Sequence, residues 1–209
     1  MPKHVKPEES GPGISRRDFF KSGTAGAVSS ALLAQETGLA RDEAGTQILG
    51  PDKVPVRLTI NGKLYALQLE PRVTLLDALR DEIGLTGSKK VCDRGTCGAC
   101  TVLLDGKPVY ACSLLAVEVQ GKQIVTVEGL GSPEQLHPVQ RAFVDNDAQQ
   151  CGFCTPGFVV AAKAFLDKNP NPSLEDIEKG LGGNLCRCGT YAGIRQAVLQ
   201  AAGKGGHHA

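Results

Sequence analysis

The sequence predicts an α+β chain in two parts, a small sheet crossed by one helix and then an all-α bundle of four short helices. Three observations predict it. Between residues 54 and 130, apolar residues alternate in short runs broken by Asn61-Gly62 and Asp105-Gly106. From 132 to 202 the apolar period lengthens to that of helices. Each part also holds one group of four of the eight cysteines.

In the first part, Val56, Leu58 and Ile60 share one face of a strand, Asn61-Gly62 supplies a type I′ turn, and Leu64, Ala66 or Leu67, and Leu69 continue the inward face on the return strand. Pro71 ends the hairpin. Thr74 then caps a short helix through Glu82, with Asp77 at its third position. A second hairpin runs from Thr101 to Tyr110 around Asp105-Gly106, and Ile124 to Val127 adds a strand. A sheet curled over one helix, with a cysteine loop at its edge, is the β-grasp plan of plant-type ferredoxins.

The second part should open at Ser132, with Pro133 at the first helical position, and run to about Asn146. Residues 157–168 place Phe158, Ala161, Ala162 and Phe165 on one face before Asn169-Pro170 stops the helix. Ser173 caps a third helix ending near Gly180, and 191–202 form a fourth. Residues 203–209 are expected to be a loose tail.

Residues 1–50 differ from the rest. Ser15-Arg16-Arg17-Asp18-Phe19-Phe20-Lys21 precedes a mild apolar run from Gly23 to Ala34, which is the pattern of a twin-arginine export signal. That run is too short and too diluted by Gly, Ser and Thr for a permanent span, and the expected destination is the periplasm. Cleavage is expected after Ala40 or Ala34. With 23 basic against 22 acidic residues, nothing in the charge balance suggests nucleic acid as a partner.

The first quartet, Cys92, Cys97, Cys100 and Cys112, reads C-x4-C-x2-C and then a fourth cysteine after eleven intervening residues, the start of the plant-type [2Fe–2S] spacing. The second, Cys151, Cys154, Cys186 and Cys188, joins C-x2-C to C-x-C across thirty-one residues. Eight cysteines in an exported chain allow 105 disulfide pairings, and structural zinc is the other competing use. Against disulfides stand the export route, which carries already folded proteins, and the strain of any bridge between Cys186 and Cys188. A thiolate-bound cluster is a buried anion, and Gly95 and Gly98 let backbone N–H groups turn inward on its sulfurs. Arg94 and Lys90 could screen it further or be plain surface charges. In the second part both ligand pairs fall near expected helix starts, whose dipoles offset thiolate charge. His137 reads as a helix-packing or hydrogen-bonding residue rather than a ligand. Phe153 reads as packing that keeps water from the cluster, and Tyr191 as core.

Cys92-Asp93-Arg94-Gly95-Thr96-Cys97-Gly98-Ala99-Cys100-Thr101-Val102, Gln150-Cys151-Gly152-Phe153-Cys154-Thr155-Pro156-Gly157 and Gly183-Asn184-Leu185-Cys186-Arg187-Cys188-Gly189-Thr190-Tyr191 resemble the three signatures of the iron–sulfur subunit of the xanthine oxidase (molybdenum hydroxylase) family, over residues 56 to about 201. With the leader, the chain is similar to the exported small subunit of a periplasmic aldehyde oxidoreductase. The resemblance implies a β-grasp ferredoxin-type domain over 54–130 and a helical [2Fe–2S]-binding domain over 132–202. It implies an oxidoreductase subunit with two [2Fe–2S] clusters, bound by the eight cysteines, and no catalytic residue of its own. Electrons would come from the molybdopterin cofactor of a large subunit, reach the helical domain's cluster first, and leave through the other to an FAD-bearing medium subunit or a cytochrome. Gln150 and Cys188 would contact the pterin. Val91 departs from the pattern, since many relatives carry Gly there. A stand-alone two-cluster carrier is the alternative reading.

Overall fold

The computed structural model describes residues 49–203. The leader with its paired arginines and the tail beyond 203 lie outside the described residues. Strand β1 (Val54–Ile60) and β2 (Lys63–Leu69) pair antiparallel, Ile60 opposite Lys63. Asn61 and Gly62 both take positive φ, 51° and 77°, the geometry of the expected type I′ turn. Strands β3 (Thr101–Leu104) and β4 (Lys107–Tyr110) repeat the device around Asp105 and Gly106. With β5 (Gln123–Val125) they form one sheet in the order β2-β1-β5-β3-β4, in which only β1 and β5 run parallel.

The inward face of β2 differs from the expected one. Opposite Leu58 stands Tyr65, and opposite Val56 stands Leu67, so the face turned to the core is Tyr65, Leu67 and Leu69. Leu64 pairs with Thr59 on the outer face and is 62% exposed. The two-residue turn fixes this register, and a strand's period of two then decides every side chain's face.

Helix α1 begins at Leu75 as expected, its Asp77 N–H donating to the Thr74 hydroxyl at 3.1 Å. After Asp77 it widens into a π turn over Ala78–Glu82, closed by the Ile83 N–H on the Ala78 carbonyl at 3.2 Å. Leu75, Leu76, Ala78 and Leu79 are buried with Val56, Leu58, Ile60, Val102 and Ile124, which makes the core of this part.

Helix α2 runs from Pro138 to Asp145, not from Ser132. Proline is comfortable in the first turn and would break a helix interior, so Pro138 sets the start. His137 becomes the cap: its Nδ1 accepts from the Val139 N–H (3.2 Å), and Gln140 Oε1 accepts from the His137 N–H (2.9 Å). Ser132 and Gln135 form a separate turn, joined N–H to carbonyl in both directions at 3.1 Å. Helices α3 (Thr155–Lys168), α4 (Leu174–Gly180) and α5 (Tyr191–Ala201) lie where the periodicity places them. Ser173 caps α4, with its hydroxyl accepting from the Asp176 N–H at 3.2 Å. Phe158, Ile177, Ile194 and Val198 fill the core between the helices. Val160 and Ala164 of α3 pack on Leu103 of β3, so the bundle rests on the sheet. Among the described residues no helix is long and apolar enough to cross a membrane.

Candidate metal centres

The loop between α1 and β3 brings Cys92, Cys97 and Cys100 together, and Cys112 follows directly on β4. All eight cysteines are unbridged thiols. Their sulfurs approach in twos. Cys92 stands beside Cys97, and Cys100 beside Cys112. In the second quartet Cys151 reaches Cys188, and Cys154 reaches Cys186. Among the described residues no three His, Cys, Asp or Glu side chains are placed to hold one ion. Two thiol pairs per quartet match a dinuclear iron–sulfur group, in which each iron takes two thiolates, and do not match a mononuclear zinc site.

The environment of each sulfur supports the same fit. The Gly95 N–H donates to Cys112 Sγ at 3.3 Å and the Thr96 N–H to Cys92 Sγ at 3.4 Å, as the inward-turned amides of an anion nest should. Backbone N–H groups of Arg94 and Thr96 draw the Cys92 thiol down to about 6. Burial pushes Cys100 and Cys154 up to about 12, so these two need a cation beside them to ionise at neutral pH. Burial would also raise Cys186, but the Thr190 hydroxyl and backbone outweigh it and hold the thiol at about 7. Cys154 is the residue before α3 and Cys186 lies shortly before α5, so both pairs of the second quartet stand at positive helix ends.

The two quartets are stitched together by the segment before Cys186. The Tyr110 hydroxyl donates to the Gly183 carbonyl (2.8 Å), Asn184 Nδ2 to the Gly98 carbonyl (2.9 Å), and the Leu185 N–H to the Cys97 carbonyl (3.0 Å). Asn184 is only 6% exposed. Gly98 has φ +70°, and a Cβ on it would stand 2.6 Å from the Asn184 amide. Gly157, in the first turn of α3, packs on the same loop, where a Cβ would stand 2.3 Å from the Gly98 oxygen. Neither Asn184 nor Gly157 stood out from spacing alone, because what recruits them is contact across the two parts.

Cys151, Cys188 and Gln150 are exposed at the rim of the second quartet, while Cys100, Cys112 and Cys186 are buried. Four expectations meet the structure here. Phe153 lines the cavity shared by Cys92, Cys97, Cys151 and Cys154, with one side 51% exposed beneath the Lys89 ammonium, 6.0 Å from its ring centre. Tyr191 is 38% exposed rather than core; its ring packs edge-to-face with buried Phe158, and its hydroxyl accepts the N–H of buried Cys186 at 2.8 Å. Arg94 donates to the Cys92 carbonyl at 3.3 Å, and Lys90 pairs with Asp77 at 2.7 Å. Val91 is 55% exposed.

Two family models match the chain, a 2Fe-2S iron-sulfur cluster binding domain over residues 62–154 and a [2Fe-2S] binding domain over 126–199. The aldehyde oxidoreductase iron-sulfur-binding subunit PaoA of Escherichia coli is 41% identical over 206 residues, 91% of this chain and 89% of its own. The nicotinate dehydrogenase small FeS subunit of Eubacterium barkeri is 43% identical over 72% of this chain and 96% of its own. Among solved structures, quinoline 2-oxidoreductase from Pseudomonas putida 86 matches with TM-score 0.69 and 44% identity, over 74% of this chain and 98% of that one. Fold and paired thiols thus define a two-cluster [2Fe–2S] electron-transfer protein. The chain belongs to the iron–sulfur small subunits of the oxidoreductase family that includes aldehyde oxidoreductase and xanthine dehydrogenase.

Proposed function

We propose that this chain serves a molybdenum-dependent aldehyde oxidoreductase of the periplasm, that Cys92, Cys97, Cys100 and Cys112 hold one [2Fe–2S] cluster, and that Cys151, Cys154, Cys186 and Cys188 hold the other. Each cluster, when bound, takes up and releases one electron at a time. The observation that carries the assignment is the approach of the thiols in twos within each quartet. The exposed rim formed by Gln150, Cys151 and Cys188 is the side that would meet the pterin of a large subunit, so electrons would enter at the second quartet. They would leave from the first quartet toward FAD in a medium subunit, or a cytochrome. Substrate turnover belongs to the large subunit. The named relatives are subunits of larger enzymes, which favours this over a free-standing carrier.

Iron and acid-labile sulfide analysis with low-temperature EPR tests the ligand assignment. The expected result is about four irons and two distinct rhombic signals; a colourless zinc protein would defeat it. The partner is tested by purification from the native source, where isolation without a molybdopterin-bearing subunit would contradict the reading. Export rests on Arg16-Arg17 before the apolar run. Changing both to Lys should leave the chain in the cytoplasm, and unchanged periplasmic yield would refute the twin-arginine route.

A further inference from the structure

Thr190, the cap of α5, and Tyr191, its first residue, hold Cys186 at both ends. Its N–H donates to the Tyr191 hydroxyl, and its Sγ lies 3.2 Å from Thr190 Oγ1. Among the described residues the other hydroxyl beside a cysteine sulfur, Ser113 Oγ next to Cys112 Sγ, stands farther off at 3.7 Å. The first quartet takes its short sulfur contacts from the backbone N–H groups of Gly95 and Thr96. The second quartet therefore carries a donor that a single side-chain change can remove without rebuilding a loop.

Between a thiol and a hydroxyl either group can donate. A metal-bound cysteine sulfur has lost its proton, so there the Thr190 hydroxyl must be the donor. Donation toward a ligand sulfur offsets negative charge, and an extra electron makes that charge larger, so the bond strengthens on reduction. Hydrogen bonds to sulfur are among the levers that set an iron–sulfur potential.

We propose that Thr190 is a positioning residue whose hydroxyl, donated to Cys186 Sγ, holds the reduction potential of the second quartet's cluster above the value the same four thiolates would give without it. The inference rests on the ligand assignment for Cys186 made above. Its consequence is a bias in where an electron resides within the chain. With the hydroxyl present the electron is favoured at the second quartet, and without it the balance moves toward the first.

The test is a potentiometric titration of the whole complex followed by EPR, with Cys154→Ser used to identify which signal belongs to the second quartet. Thr190→Val removes the hydroxyl and keeps the branching. It should lower that cluster's potential enough to move the electron's partition about tenfold toward the first cluster, about 59 mV for a one-electron couple, and leave the other signal's potential unchanged. Thr190→Ser should titrate like the wild type. Unchanged potentials in Thr190→Val, or an equal shift of both clusters, would overturn the proposal. Should Val prevent the cluster from loading, Thr190→Ala carries the same expectation; failure of both to load would make the residue structural and refute the tuning role. A wild type lacking the second signal would instead defeat the ligand assignment itself, so the two failures are separable.

Discussion

The backbone N–H of Leu185 donates to the carbonyl of Cys97 at 3.0 Å, which sets the residue before Cys186 against a member of the first quartet. From Cys97 Sγ to Cys186 Sγ the path is covalent except for this one hydrogen bond. The fold reaches this by laying the Gly183–Leu185 segment on the loop that carries Cys97 and Gly98, where Asn184 and Tyr110 fix it.

Asn184 should be worth more as a donor than as a shape. Its Nδ2 donates to the Gly98 carbonyl at 2.9 Å and lies 3.3 Å from Thr101 Oγ1, in a buried setting. Asn184→Ala leaves a buried carbonyl with fewer partners and should cost about 1–3 kcal/mol. Asn184→Asp should cost more, since a carboxylate has only acceptors to set against the Gly98 oxygen. Denaturant unfolding of the loaded subunit measures both. An Asp variant as stable as wild type would show that the donor assignment is wrong.

Gly157→Ala sets two effects against each other. Ala is favoured over Gly inside a helix by about 1 kcal/mol. Here the added Cβ would stand 2.3 Å from the Gly98 oxygen and 3.0 Å from Ala99 Cα, both backbone atoms that cannot swing aside. Overpacking of this kind costs about 1–3 kcal/mol, so net destabilisation is expected, with disturbance of the first quartet's EPR signal because Gly98 lies between Cys97 and Cys100. A stabilised variant with an unaltered spectrum would mean that the α3 contact yields easily.

Single-ligand changes should divide the two centres. Cys100→Ser should remove one rhombic signal and Cys154→Ser the other, each sparing its counterpart. In stopped-flow reduction by substrate, Cys188→Ser should slow transfer out of the large subunit, whereas Cys97→Ser should spare that first step. Equal loss of early reduction in both variants would contradict the proposed order.

Much of this could be read in the sequence because the signals are local. Asn61-Gly62 and Asp105-Gly106 announce their turns because they readily take the positive φ such turns require, and cysteine spacing announces a cluster without knowledge of the fold. The failures occur where two local signals compete or where the outcome depends on distant atoms. Ser132-Pro133 and His137-Pro138 both look like helix starts, and the second prevails because Pro138 would otherwise sit inside the helix. The π turn after Asp77 has no sequence mark. Tyr191 holds the N–H of a residue five positions earlier with its hydroxyl, which spacing does not reveal. Thr190 lies within the third signature, yet its bearing on Cys186 needs the geometry of the α5 cap.

His137 gives the bundle a dependence on pH that can be isolated from the metal centres. Its Nδ1 accepts the Val139 N–H, which requires the neutral ring. Burial, then the nearby Lys163 charge, hold its pKa below the ordinary 6.5, while Asp167 works weakly the other way. A folded value below the unfolded one means that the unfolded chain takes up the proton first as pH falls. The cap's contribution is therefore complete above about 6.5 and is lost as pH drops through the lowered folded value. His137→Asn can still cap α2 through its side-chain oxygen and has nothing to titrate in this range. The difference in unfolding free energy between wild type and His137→Asn should be constant above pH 7 and should shift against the wild type as pH falls below about 6.5. Parallel pH profiles for the two proteins would show that the His137 ring is as easily protonated in the fold as out of it.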